Sequence, residues 1–401
     1  MKQTGIILFT LLVSIAAWAQ KTTVSGTVVS AQTDKPVAGA SVVAKGVTVV
    51  TNEDGFFTLK SDSAIAALTV SYVGYRSRQV TVADNAANLR IALQPTTIQL
   101  QEVLVLADNP RELVNKAISK IPQNYSRQPG LYECFYRETT MKRQHYICVA
   151  EGVIDMYKSP YTHRTTRDKV AIRKGRRLLS PKKSDTLSVK VTGGPVTPVW
   201  LDLVKNTDFL LNPEDLSCYD MKMEAPTSIG DRMQHVVRLI PHAPMPYALY
   251  FGKLYIDQET LAFTRAELSL DMSDREKATR LMLVKKPRGV RFRPKEMSLL
   301  VDYRYDGGVT HISYVRTTFR FNCDWRRKLF ATSFTAFCEM AVTGRTDGDV
   351  QPIRGRDSFE QRDAFFDKVD YFRDPVFWQD YNIIEPTESL DRAIDRLLKK
   401  Y

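Results

Sequence analysis

The chain has 401 residues, 43% of them hydrophobic and 10% aromatic, which excludes a disordered polar polymer and is ample for packed cores. Its formal net charge is +12, and its five cysteines are too few, and odd in number, for a disulfide scaffold. No C-x-x-C, H-E-x-x-H, G-x-S-x-G, G-K-[ST] or G-x-G-x-x-G occurs, so zinc-ribbon, zincin, nucleophile-elbow and nucleotide-loop chemistries have no footing.

The opening "MKQTGIILFTLLVSIAAWAQ" has a positive Lys2, an apolar run from Ile6 to Ala16 and a small-x-small end at Ala17-Trp18-Ala19. This is the pattern of a cleaved secretory signal over residues 1–19. The run falls short of the ~20 residues a spanning helix needs. No cysteine follows it, which argues against a lipid anchor. No later apolar run reaches spanning length, so the mature chain is expected to have no transmembrane span. Export to the periplasm also removes nucleic acid as the partner of a basic surface. An envelope protein, anionic lipid or acidic glycan remains.

From residue 22 to 93 the text alternates in short segments, at 22–29, 40–46, 55–60, 67–73, 77–83 and 89–93, broken by turn residues. Six or seven strands in so short a span predict a β-sandwich. Within it, "TNEDGFFTL" crowds Asn52, Glu53 and Asp54 in front of Gly55. A calcium loop needs ligands at positions 1, 3 and 5 and a glutamate at 12. Counted from Asn52, position 5 is Phe56 and position 12 is Ser63. The stretch therefore reads as a turn with Gly55 at positive φ.

"VSGTVVSAQTDKPVAGASVVAKGVTVVTNEDGFFTL", followed by "LTVSYVGYRSRQVTV", resembles the carboxypeptidase regulatory-like domain common in Bacteroidetes envelope proteins. The resemblance implies a transthyretin-like (prealbumin-like) β-sandwich over residues 20–95, then a linker over 96–108. In the linker, "LQEVLVLA" is similar to the strand that joins this domain to the plug of TonB-dependent receptors. Only 293 residues follow residue 108 (401 − 108), too few for such a receptor's barrel of about 22 strands with plug and loops.

Residues 109–401 read as a β-rich domain with helices at both ends. Asn109-Pro110 opens a helix carrying Leu113, Ala117, Ile118 and Ile121 at helical spacing. Long strands are predicted at 131–139, 145–157, 234–240, 248–257, 262–271, 279–285, 297–304, 309–322 and 330–343. The tail puts Leu390, Ala393, Ile394, Leu397 and Leu398 on one helix face. The fold class is mainly β, α+β overall, with a long-stranded antiparallel sheet and flanking helices. "FYRE", "YICVAEGVIDMYKSPY" and "DYNIIEPTESL" are similar to the second half of Bacteroidetes proteins bearing the regulatory-like domain. That similarity implies architecture and compartment but no activity. "LYIDQETLAFTRAEL" is similar to one hairpin of lipoprotein-carrier half-barrels.

The chain holds no familiar catalytic or metal-binding pattern. A zinc carboxypeptidase needs H-x-x-E, and none of His145, His163, His235, His242 or His311 has Glu at +3. Glu138, Glu151 and Asp155 read as solvated strand faces, with Glu151 and Asp155 too far apart for a glycosidase pair. Cys134 and Cys148 flank a predicted turn near Met141, so whether they oppose each other depends on a loop length left open. No catalytic residue, cofactor or metal ligand is assigned. The segment 163–185 carries nine Lys/Arg against two Asp and reads as a loop. Arg164, Arg167, Lys169, Arg173, Lys174, Arg176, Arg177, Lys182 and Lys183 are its candidate anion-binding residues.

The expected role is non-enzymatic binding or scaffolding in the periplasm at the outer membrane. One alternative is a half-barrel carrier of an apolar ligand or lipoprotein, which requires an apolar cavity under the long sheet. Another is a hydrolase with an unrecognised site, which requires carboxylates or histidines clustered in a cleft.

Overall fold

The computed structural model describes residues 21–83, 86–96, 109–182, 185, 189–243, 245–326, 330–361, 363–372, 374 and 376–399. The expected signal (1–19) and the linker beyond Thr96 lie outside the described residues. The chain is mainly β, as its alternation predicts.

The first seven strands are β1 (Thr22–Ser30), β2 (Ser41–Ala44), β3 (Val47–Val50), β4 (Phe56–Ser61), β5 (Ala67–Ser71), β6 (Arg78–Thr81) and β7 (Leu89–Leu93). They form sheets of order β4-β1-β7 and β3-β2-β5-β6 around Val24, Val28, Val42, Phe57, Leu68, Val70 and Ile91. The sequence reading missed β3. Lys45 and Gly46 both sit at positive φ, so a two-residue hairpin turn joins β2 to β3 without the Asn-Gly signal that announces one.

Helix α1 (Pro110–Ser119) begins where expected, with the Asn109 side chain accepting from the backbone N–H of Arg111 and Glu112. Short α2 (Ile121–Asn124) follows. The remaining strands are β8 (Gly130–Lys142), β9 (His145–Lys158), β10 (Lys169–Leu179), β11 (Lys190–Val191), β12 (Tyr219–Ile229), β13 (Arg232–Pro241), β14 (Tyr250–Asp257), β15 (Phe263–Leu270), β16 (Leu283–Lys285), β17 (Val290–Asp306), β18 (Val309–Trp325), β19 (Thr332–Asp347) and β20 (Asp370–Tyr371). The remaining helices are α3 (Thr197–Trp200), α4 (Pro213–Ser217), α5 (Arg275–Met282) and α6 (Glu388–Leu398).

Eleven strands make one sheet, β12-β13-β14-β15-β17-β18-β19-β8-β9-β10-β20, antiparallel except where β20 joins β10. Because side chains alternate, the sheet has two faces, and both are covered. The inner face packs Tyr132, Leu254, Leu268, Leu299, Phe319 and Met340 against α1, α5 and the segment 199–218. The outer face carries Phe135, Val153, Tyr314 and Ala341, which pack with Val50 of the sandwich and with Trp378, Ile383 and Ile384. Helix α6 lies on Val149 and Leu178 through Leu390, Ile394 and Leu397.

Two segments depart from the sequence expectation. Residues 163–185 are not a loop, because Lys169–Leu179 pairs with β9 as strand β10. Burial of Val170 and Leu178 drives this pairing, which the charge run between them disguises. Residues 275–282, of which 279–282 belonged to a predicted strand, form helix α5. Asp274 caps the N–H groups of Glu276 and Lys277, and the Arg, Lys, Glu and Ala that follow favour helix.

Candidate functional site

A cavity of about 290 Å³ lies against the inner face where β19, β8 and β9 adjoin, beneath residues 189–194 and 363–366. Register places Cys338 of β19 opposite Glu138 of β8, and Cys148 of β9 opposite Thr140. Its walls are mostly apolar, including Ile147, Leu179, Val189, Val191 and Phe365. Glu138 Oε1 accepts from the Tyr136 hydroxyl at 2.6 Å and from the Gly194 backbone N–H at 2.8 Å. Gly193 borders it so closely that a Cβ there would lie 3.7 Å from both Cys338 Sγ and Glu138 Oε1.

Burial pushes the Glu138 carboxyl above its ordinary value, against the two hydrogen bonds and the Lys190 charge. With Oε1 already accepting twice, a proton on the acid belongs on Oε2 and makes it a donor. Burial also pushes the Cys148 thiol up to about 12 and the Cys338 thiol further still. Protonated thiols are poor nucleophiles and behave as small apolar groups. The arrangement can therefore enclose a small, mostly apolar molecule, with Glu138, Thr140 and Thr192 as polar groups on its wall.

The outer face holds a buried ion network. Arg137 Nε donates to Glu151 Oε1 at 2.9 Å, and its Nη2 donates to the Ile384 carbonyl at 2.6 Å. Arg176 Nε and Trp378 Nε1 both donate to Glu151 Oε2 at 3.1 Å. Burial alone would raise the Glu151 carboxyl, but Arg137 and Arg176 outweigh it and hold it below the usual range. The reading of Glu138, Glu151 and Asp155 as solvated faces is thus corrected. Glu151 is 1% exposed, Glu138 borders the cavity, and Asp155 pairs with Arg173.

The candidate anion-binding residues divide. Arg173 is paired with Glu133 and Asp155. Lys174 Nζ donates to the Phe377 carbonyl at 2.8 Å and lies 4.2 Å from that ring's centroid. The Arg176 guanidinium stacks 3.9 Å from the Phe372 centroid, and Arg177 donates to the Phe366 carbonyl. These four side chains are turned onto protein acceptors. Arg164, Arg167 and Lys182 are exposed, Lys169 is partly so, and Lys183 lies outside the described residues.

A second buried cluster was invisible in the sequence. Lys158 Nζ donates to Asp202 Oδ2 at 2.6 Å and Lys205 Nζ to Asp168 Oδ1 at 2.6 Å, while Tyr161 and Tyr303 donate to Asp202. Burial and the neighbouring Lys158 push the Lys205 ammonium down to about 8, against the pull of Asp168. The pairs pin the segments 159–168 and 202–205 to the end of β9, which is a structural role. Among the described residues, no group of three His, Cys, Asp or Glu side chains is placed to hold a metal ion. His311 is fully buried, and burial, with Arg345 and Arg304 nearby, holds it well below its ordinary value. No helix among the described residues is long and apolar enough to cross a membrane.

The sandwich next to this sheet has recognisable relatives. Residues 24–105 match the family model of the CarboxypepD_reg-like domain. This segment is a CarboxypepD_reg-like domain. The TonB-dependent receptor SusC of Bacteroides thetaiotaomicron is 38% identical over 98 residues, which are 24% of this chain and 9% of the receptor. The chain thus spans under a tenth of that receptor's length. A DUF1329 family protein of Desulfovibrio piger is similar at 11% identity over 58% of this chain and 93% of its own, with a TM-score of 0.24. A putative membrane-associated protein of unknown function from Bacteroides fragilis covers 81% of this chain and 98% of its own, at 10% identity and a TM-score of 0.16.

Proposed function

We propose that the protein is a non-catalytic binding protein of the bacterial envelope, taking a small, mostly apolar ligand. The cavity at Glu138 carries this reading: mostly apolar walls, thiols held protonated, and one buried acid raised above its ordinary value. Its volume of about 290 Å³ falls just under the ~300–1,000 Å³ usual for ligand sites. The envelope address is supported by the CarboxypepD_reg-like domain, by its similarity to a TonB-dependent receptor and by the secretory pattern of residues 1–19. This joins the binding role to the carrier alternative on a smaller scale.

The test is fluorescence titration with the neutral apolar dye N-phenyl-1-naphthylamine, competed with medium-chain acyl amides. Gly193→Leu fills the cavity and should abolish binding, whereas Glu138→Leu should spare the dye and weaken the amides. Dye binding that survives Gly193→Leu in a folded protein would remove the cavity from consideration.

A second reading, scaffolding, is favoured by an open groove of about 870 Å³ on the outer face beside the sandwich. Arg238, Lys253, Arg265 and Arg316 line it together with Phe251, which is 47% exposed. Its mixed charge, with Glu267 and Asp271 also present, suits a polar protein partner.

A further inference from the structure

The strongest concentration of positive charge lies outside both of these sites. Residues 275–295 hold nine Lys/Arg, and Glu276 is the single acid among them. They form α5, β16 and the start of β17, which lie together because α5 packs on both strands. Arg275, Lys285, Lys286, Arg288, Arg291 and Lys295 are all exposed. None of the six has a carboxylate within ion-pair distance among the described residues. The acids nearby are otherwise engaged: Asp324 with Arg293, Glu296 with Arg320 and Asp274 with Lys277.

Two further observations say what kind of partner suits this surface. Leu281 and Val284, at 37% and 58% exposure, stand among these cations. The register also places the turn after β18 at the same end of the sheet, since Val290 pairs with Trp325, and Phe330 in that turn is 79% exposed. The opposite end is mixed in charge: Glu259 pairs with Arg232, and Asp306 and Asp347 pair with Arg345. A soluble polyanion would need the cations but would gain nothing from exposed Leu, Val and Phe side chains. A bilayer uses both, because phosphate headgroups take the cations and the acyl boundary takes the apolar groups.

We propose that this end of the sheet, carried by α5, β16 and the start of β17, docks on an anionic lipid surface. The sheet then stands with its strands steep to the membrane. Lys285, Lys286 and Arg288 supply electrostatic attraction, which salt weakens. Leu281, Val284 and Phe330 supply the shallow apolar insertion.

The test is flotation of the full mature chain with phosphatidylglycerol–phosphatidylcholine vesicles, with pure phosphatidylcholine vesicles as the neutral control and dextran sulfate as a lipid-free polyanion. The wild type should float with the anionic vesicles only, and less so at high salt. The triple change Lys285→Gln, Lys286→Gln, Arg288→Gln should lower vesicle affinity by about 100-fold, as three cations at an anionic surface imply. The pair Leu281→Ser, Val284→Ser should lower it by about 10-fold while leaving dextran sulfate retention unchanged. All changed positions are exposed, and a melting curve for each variant confirms that it is folded. Equal flotation of wild type and triple variant would overturn the proposal. So would retention on dextran sulfate without vesicle binding.

Discussion

Asp54 Oδ2 accepts a hydrogen bond of 2.7 Å from the backbone N–H of Glu388, although 334 residues separate them. The carboxylate thereby serves the first turn of α6 together with Thr387, the residue that caps it. Next to it, Asn52 Nδ2 donates to the Pro386 carbonyl at 2.9 Å, and its Oδ1 accepts from the N–H groups of Asp54 and Phe56. The turn read as a mere strand connection is a clasp between the sandwich and the end of the chain.

Asp54→Ala should therefore cost about 1 kcal/mol, as a lost helix-end hydrogen bond does. Denaturant unfolding of the full chain measures it. Calcium should leave the midpoint unchanged, because Asp54 and Asn52 are already committed to protein donors; a calcium-dependent rise would contradict this.

Gly55 has φ +74, and a Cβ there would lie 2.5 Å from the Val28 carbonyl oxygen. Gly55→Val should destabilise by about 3 kcal/mol through strain and clash together. Gly46→Ala, at φ +82 with nothing within 4 Å, carries strain alone and should cost about 1 kcal/mol. Similar losses at the two positions would show that the clash contributes nothing.

Glu151→Gln should cost about 1–3 kcal/mol, since Arg137 loses its most buried carboxylate while keeping Glu339 and the Ile384 carbonyl. The pH dependence has a definite sign. Glu151 is held below its ordinary 4.5, so its contribution is present above that value and fades as pH falls through the folded-state value. Glu138 runs the other way: its folded value lies above 4.5, so its contribution is full below 4.5 and is lost as pH rises through the folded value. Glu138→Gln keeps an acceptor for Tyr136 and should be more stable than wild type at pH 7, with the difference closing near pH 4. Unfolding curves at several pH values check both signs.

All five cysteines are thiols. The turn between β8 and β9 falls at residues 143–144, later than expected, which sets Cys134 opposite Ile154 and Cys148 opposite Thr140. Alkylation should label five sites in denaturant and react slowly in the native protein, with or without prior reduction. A mass shift on reduction would reveal a bridge and refute this register.

The sandwich was legible because its strands alternate strictly and its turns carry Gly, Pro and Asp where the backbone needs them. The cap at Asn109 and the apolar face of α6 were legible for the same local reason. What stayed hidden depends on pairing across long separations. Lys169–Leu179 looked like a loop because Arg173, Lys174, Arg176 and Arg177 find their partners on β8, β9 and the segment 366–377, none of them close in sequence. Glu138 did leave a trace, since it shares a strand face with Tyr132, Cys134 and Tyr136, and an acid on an apolar face asks for an explanation. Glu151 left less, because its strand is buried on both faces and reads as a continuous apolar run.

The segment from Trp378 to Ile384 lies between Val50 of the sandwich and Phe135 and Val153 of the long sheet. Lys60 of β4 also donates to the carbonyls of Trp378 and Tyr381. Translation delivers that segment long after both surfaces it joins, so neither can be sealed while the chain is still growing. A chain cut short before Trp378 would hold a finished sandwich and most of a sheet, each showing bare apolar surface. Such fragments should aggregate or be degraded instead of surviving as stable pieces, which makes this short stretch a completeness check built into the order of synthesis.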